Sequence, residues 1–110
     1  MVGQNPPPNQ MNAIFVAKYA PLVLPQPMNA LPAGEYLKYM PKFSDEGEVS
    51  DEEHIVDFYA YADNLNIGHK DVWMRVFVQS LEGDVRKWFI SLTTGSITGI
   101  ETLDETFLRN

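Results

Sequence analysis

Residues 72–92, VWMRVFVQSLEGDVRKWFISL, contain both tryptophans of the chain and two apolar runs separated by one glycine. In the first run Trp73, Val76, Phe77 and Leu81 stand at i, i+3, i+4 and i+8, a single stripe of an α-helix. Val72, Met74 and Val78 widen the stripe, so this helix is expected to be covered on more than one side. In the second run Val85, Trp88, Phe89 and Leu92 fall at i, i+3, i+4 and i+7. Between the runs Gly83 can take the positive φ that ends one helix, and Asp84 can cap the next. Two helices joined this closely must turn sharply, so their aromatic faces converge on one core. Trp73, Phe77, Leu81, Gly83, Trp88 and Phe89 are therefore its expected centre.

The segments on either side supply what packs on that corner. Residues 1–34 hold seven of the eight prolines and only one charged residue, Lys18. Proline removes backbone donors and breaks helices, so a Pro-rich flexible arm is expected here. Two short apolar patches, at 14–17 and 22–24, interrupt it. Residues 35–43 (EYLKYMPKF) are rich in aromatic side chains, and Pro41 biases Met40 away from helix. One helical turn followed by an extended strap is the expected form. Ser50 with Glu53 makes a capping box for a helix from Asp51 to about Asn64. Ile55, Phe58, Tyr59 and Ala62 form its stripe, with Phe58 the expected core residue. Residues 64–70 form a loop turned by Asn66 and Gly68, and Asp71 is placed to cap the central helix. Thr98 with Glu101 repeats the capping-box pattern before a last helix, whose Ile100, Leu103 and Phe107 sit at i, i+3 and i+7. The expected fold is all-α: a bundle of about four helices over residues 35–110, preceded by the arm at 1–34. The sequence stops at Asn110 without a helix stop signal, so a longer domain is expected.

Composition removes several classes of function. With no cysteine there are no disulfides, thiolate zinc sites or cysteine nucleophiles. A net charge of −7 opposes nucleic-acid binding, which needs clustered Lys and Arg against phosphate, and opposes docking on anionic membrane. No apolar run approaches the ~20 residues of a membrane span, and the N-terminus lacks the basic and apolar regions of a secretory signal. A cytoplasmic protein is expected. The seven carboxylates within 44–57 do not follow the spacing of a calcium-binding loop and serve better as a solvated helix start, where they complement the positive end of the dipole. No metal or cofactor is expected. An enzyme would need Asp63 with Asp71 in a cleft, or Ser80 beside a base. No spacing sets a histidine beside a serine, and no glycine-rich phosphate loop is present. His54 and His69 are expected at the surface.

Taken together, YMPKF, the acidic helix start, VWMRVFVQSLEGDVRKWFISL and SITGIETLDETFLR resemble the Gag polyprotein of gypsy-type long-terminal-repeat retrotransposons, most closely those of plants. The resemblance covers about residues 35–110. It rests on Pro41 and Phe43 in the strap, residues 79–83 with Leu81 before the Gly83 turn, Trp88, and Leu103, Phe107 and Leu108 in the last helix. Arg75 takes the place of the family's arginine. Three positions depart from the pattern. Asp45 replaces a glycine after the strap, Ile100 replaces the tryptophan opening the last helix, and the chain ends where the family continues into a second lobe. The cysteine–histidine knuckle that binds RNA in many members is absent, as is the aspartic-protease motif.

The resemblance implies a non-enzymatic capsid amino-terminal lobe of a transposable element, which packs against copies of itself toward a particle shell. Arg75, Arg86 and Lys87 are then expected to face solvent or a neighbouring copy, with the acidic 45–57 region as their partner, so self-association should be salt-sensitive. Host-adopted relatives hold short peptides between strap and helices. The alternative function is therefore a helical adaptor with Tyr36, Tyr39 and Phe43 at the cleft, and the arm's own residues 22–27 as a cis occupant. The strap's backbone groups would pair with the extended segment.

Overall fold

The computed structural model describes residues 18–109. These form four α-helices and no strands: α1 (Asp51–Asn64), α2 (Lys70–Gln79), α3 (Gly83–Ile90) and α4 (Ile100–Leu108), with a 3-10 turn at Tyr36–Tyr39 ahead of them. The small all-α bundle read from the sequence is the observed fold.

Helix α1 begins as its capping box dictates. Glu53 N–H donates to Ser50 Oγ at 3.1 Å, and Ser50 N–H donates to Glu53 Oε1 at 3.2 Å. It ends in a Schellman motif: Asn66 takes φ +56°, its N–H reaches Asp63 O, and Ile67 N–H reaches Ala62 O. Its buried stripe is His54, Phe58 and Ala62. Ile55 is only half-buried and Tyr59 is exposed, so the apolar face lies rotated from the one expected. A histidine occupies the place that a hydropathy pattern gives to isoleucine.

Every residue of α2 from Asp71 to Val78 is buried, which makes it the central helix. Its Trp73 and Phe77 rings stack with planes 4° apart. Phe58 meets both edge-on, at 4.9 Å from Trp73 and 5.1 Å from Phe77, and Phe107 of α4 meets Phe77 edge-on at 5.3 Å. Stacked and edge-to-face pairs of this kind add to the stabilisation from burial alone. Helix α4 packs on both α1 and α2, with Leu103 and Phe107 inward. The Thr98–Glu101 box does not form. Gly99 is the N-cap with no side-chain bond, and Thr98 Oγ1 lies instead 3.4 Å from Thr102 Oγ1.

The α2–α3 corner turns at Gly83, with φ +58°, a conformation that strongly favours glycine. Gly83 is exposed, so it serves as a hinge point of the turn and is not a core residue. Glu82, not Asp84, is the N-cap of α3. Arg86 reaches back from α3 and donates to Leu81 O at 2.8 Å and to Gln79 O at 3.1 Å, satisfying carbonyls that the end of α2 leaves open. Val85 and Phe89 face the core. Trp88, one position round the helix from Phe89, is half-buried at its margin.

As expected from Pro41, Met40 leaves the 3-10 turn in an extended conformation, and the strap then crosses the corner. Phe43 N–H donates to Ser80 O and Glu82 N–H donates to Phe43 O, both at 2.9 Å, a parallel bridge between Phe43 and Leu81.

The boundary expected at residue 34 does not hold for the described part of the arm. Tyr19, Pro21 and Leu22 are buried with the core. Leu22 bridges Ile97 in the α3–α4 loop, where Ile97 N–H donates to Pro21 O and Val23 N–H donates to Ile97 O, each at 2.8 Å. Proline barred helix from this segment but did not bar burial, because the loop supplies the backbone partners. The apolar patch at 14–17 lies outside the described residues.

Candidate functional site

Two places combine chemistry-bearing side chains, and they have opposite characters. The first is sealed. His54, on the inward face of α1, is 1% exposed, and Ser80, at the end of α2, is fully buried. His54 Nε2 lies 2.9 Å from Ser80 Oγ, and the Ser80 hydroxyl donates to Phe77 O at 2.5 Å. With the serine hydrogen engaged there, Nε2 carries the proton and donates to Oγ. That polarity is the reverse of a serine activated by a basic imidazole, and neither side chain reaches solvent. Rings of Phe43, Phe77 and Phe107 surround the imidazole with centroids 5.2–5.9 Å away. Burial therefore lowers the His54 pKa to about 4, against the opposing charge of Asp57.

The folded state holds His54 neutral, whereas the unfolded chain protonates it near 6.5, so its contribution is full above that value and fades as pH falls toward 4. Between pH 7 and pH 5 the histidine alone should remove about 2 kcal/mol of stability. Chemical denaturation of the native chain and of His54→Gln at both pH values checks this. The variant's loss on acidification should be smaller by that amount, and equal losses would contradict it. Pairing the two chains isolates His54 from Asp104, whose carboxyl burial raises despite the Tyr59 hydroxyl that bonds it at 2.7 Å.

A second buried polar group lies nearby in sequence but serves the arm. Asp71, expected as a cap, is 3% exposed, as is Arg75 one turn on. Asn29 donates to Asp71 through its backbone N–H at 2.9 Å and its side-chain amide at 2.8 Å. Arg75 Nη2 donates to Asp71 Oδ2 at 3.2 Å and also to the Asn29 carbonyl. Burial alone would raise the Asp71 carboxyl. The Asn29 donors and the Arg75 charge outweigh it and hold the group below the usual carboxylate range. Arg75 is thus a structural clasp and presents no charge to solvent or to another copy. Asp63 is exposed on α1, so it does not share a cleft with Asp71.

The second place is open. The 3-10 turn forms one wall of a groove of about 670 Å³, with Glu35, Tyr36, Tyr39 and Pro41. Asp57, Ala60, Tyr61 and Asn64, at i, i+3, i+4 and i+7 of α1, form its floor. Hydrogen bonds fix two of the rings. Tyr61 donates its hydroxyl to Tyr36 O, and Tyr36 donates to Gln79 Oε1 at 2.8 Å, while Gln79 Nε2 donates to the Tyr19 hydroxyl at 2.8 Å. Tyr39 stands out at 79% exposure.

Of the expected cleft residues, Tyr36 and Tyr39 are brought together here. Phe43 is not, because its ring packs 5.1 Å from Phe107 and beside His54 in the core. Residues 22–27 do not occupy the groove, since Leu22 is held at Ile97. Arg86 and Lys87 are exposed on α3, where Lys87 lies 3.8 Å from Asp84. The sequence reading missed the floor of the groove and the two buried polar pairs. Their signals were present as helical spacings: Asp57–Ala60–Tyr61–Asn64, His54–Phe58–Ala62 and Asp71–Arg75.

Among the described residues no group of three or more His, Asp or Glu side chains could hold a metal ion, and no helix is long and apolar enough to cross a membrane. Comparison with family models, curated proteins and solved structures finds no match to this chain.

Proposed function

We propose that the chain is a non-enzymatic protein-interaction domain of the Gag capsid-lobe type, which associates with further copies of itself. The observation that carries this is how the surface charge is paired. Among the described residues, none of the seven carboxylates between Asp45 and Asp57 forms an ion pair within its own copy, and all but Asp51 are exposed. Arg86 and Lys87 offer exposed positive charge on α3. With Arg75 buried, these two remain at the surface beside the exposed Lys38, Lys42, Lys70 and Arg109, Lys87 meeting only the exposed Asp84 within its own copy. Complementary charge between such cations and the acidic segment of a neighbouring copy steers association. The resemblance of the strap and the corner to Gag sequences supports the same reading.

The contact should be electrostatic and therefore weakened by salt. Sedimentation velocity of Lys87→Glu and of Glu52→Lys should show association weakened several-fold in each, with recovery when the two are combined. Arg86 is left intact because it also closes the α2–α3 corner. Profiles identical between low and high salt, and unchanged by both substitutions, would remove the proposal. The open groove favours a second reading, an adaptor that holds a peptide between strap and α1.

A further inference from the structure

We infer that the groove between the 3-10 turn and α1 takes a proline-rich segment in the polyproline II conformation, with a Lys or Arg beside it. The inference rests on the adaptor reading and names its ligand class. Backbone accounting rules out the most obvious alternative. A peptide adding as a strand needs a free ladder edge. Here Lys38 and Met40 direct their N–H groups back to Glu35 O and Leu37 O inside the 3-10 turn, Pro41 has no N–H, and Phe43 spends both its N–H and its C=O on the corner. The wall of the groove, residues 36–41, therefore presents no ladder to extend, contrary to the expectation from its proline.

An amphipathic helix is a poor match as well. Its anchors need a long aliphatic trough, whereas this groove is walled by tyrosines and a proline. A polyproline II segment needs neither. It has no internal hydrogen bonds, keeps its backbone solvated and arrives already ordered. Its pyrrolidine rings pack on flat aromatic surfaces, and Tyr36 and Tyr61 are pinned as such surfaces by their hydroxyl bonds.

Charge then selects what flanks the prolines. Glu35 and Asp57 bring carboxylates to opposite sides of the groove, one on the wall and one on the floor. Lys38, the cation of the 3-10 turn itself, is turned to the Tyr39 ring, 5.4 Å from its centroid. A basic ligand residue would complete both carboxylates, and an acidic one would be repelled. Residues 1–17 contain prolines but no Lys, Arg, Asp or Glu, so no side chain of that segment supplies the complementary charge.

The test is titration of the full chain with labelled oligoproline peptides ending in arginine or in glutamate, and with an alanine-rich helical peptide of equal length. Fluorescence anisotropy gives affinity, and amide shifts in NMR locate the site. The arginine peptide should bind at Tyr36, Tyr39 and Tyr61. Tyr39→Ala, at a position too exposed to threaten the fold, should weaken it on the order of tenfold. Asp57→Asn should weaken the arginine peptide and relieve exclusion of the glutamate one. Equal binding of the helical peptide at the same residues would overturn the polyproline assignment while leaving the adaptor reading intact. No shift at the groove with any peptide would overturn both. Binding that emerges only after deletion of residues 1–17 would overturn the inference in favour of the chain's own arm.

Discussion

Phe77→Ala should lower the stability of the domain by about 3–5 kcal/mol, the cost of removing a fully buried aromatic side chain and leaving a cavity. The value should fall at the upper end because the ring is the hub of the core. It stacks on Trp73 and receives the edges of Phe58 and Phe107, so its removal leaves three rings without a common partner. The strap would feel the change too, since Phe43 packs on the same Phe107. A domain of this size has a total stability of about 5–14 kcal/mol, so a loss of about 5 kcal/mol removes between a third and all of it. Urea titration at low temperature, followed by tryptophan fluorescence, gives the number. A loss under about 1 kcal/mol would mean that the rings repack around the vacancy.

Arg75→Ala should be nearly as damaging, at about 3–5 kcal/mol, for an electrostatic reason. It leaves the Asp71 carboxylate buried without its cation, and breaking one half of a buried ion pair is far worse than replacing both halves. The Asn29 carbonyl loses a donor in the same step, so residues 18–34 should loosen from α2. Two controls separate this from lost packing. Asp71→Asn combined with Arg75→Met, which removes both charges at similar volume, should recover a large part of the loss. The single variant should also regain relative stability on mild acidification, because an unpaired buried carboxyl takes up a proton more readily. A loss within the range of surface ion pairs, about 0–1 kcal/mol, would show the pair to be solvated.

The corner was legible in the sequence because its signals are local. Gly83 between two apolar stripes, Ser50 with Glu53, and Pro41 behind Met40 each specify backbone geometry within a few residues. What escaped depends on residues far apart in the chain. His54 belongs to the core only because Ser80, 26 residues away, accepts a hydrogen bond from its Nε2. Arg75 is buried only because Asn29, 46 residues earlier, shares it with Asp71. Both look like surface residues to any hydropathy pattern, and both were assigned there. Trp88 failed in the opposite sense. A large ring on an apolar stripe reads as core, yet a helix of 8 residues buries only the narrow face of Val85 and Phe89. The groove was half visible. Its wall follows from the aromatic strap, whereas its floor uses the small and polar side of α1, which carries no apolar signal.

These differences also sharpen the functional proposal. With Arg75 sealed and Phe43 packed against the core, the expected contact residues that remain at the surface are Arg86 and Lys87 of α3, the acidic segment, and Tyr39 at the groove. The most direct test of self-association is size-exclusion chromatography with light scattering on the full chain, across protein concentration and at low and high salt. The mass should climb above that of the 12.5 kDa monomer as concentration rises at low salt and fall back at high salt. A monomer mass at every concentration and both salts would contradict it.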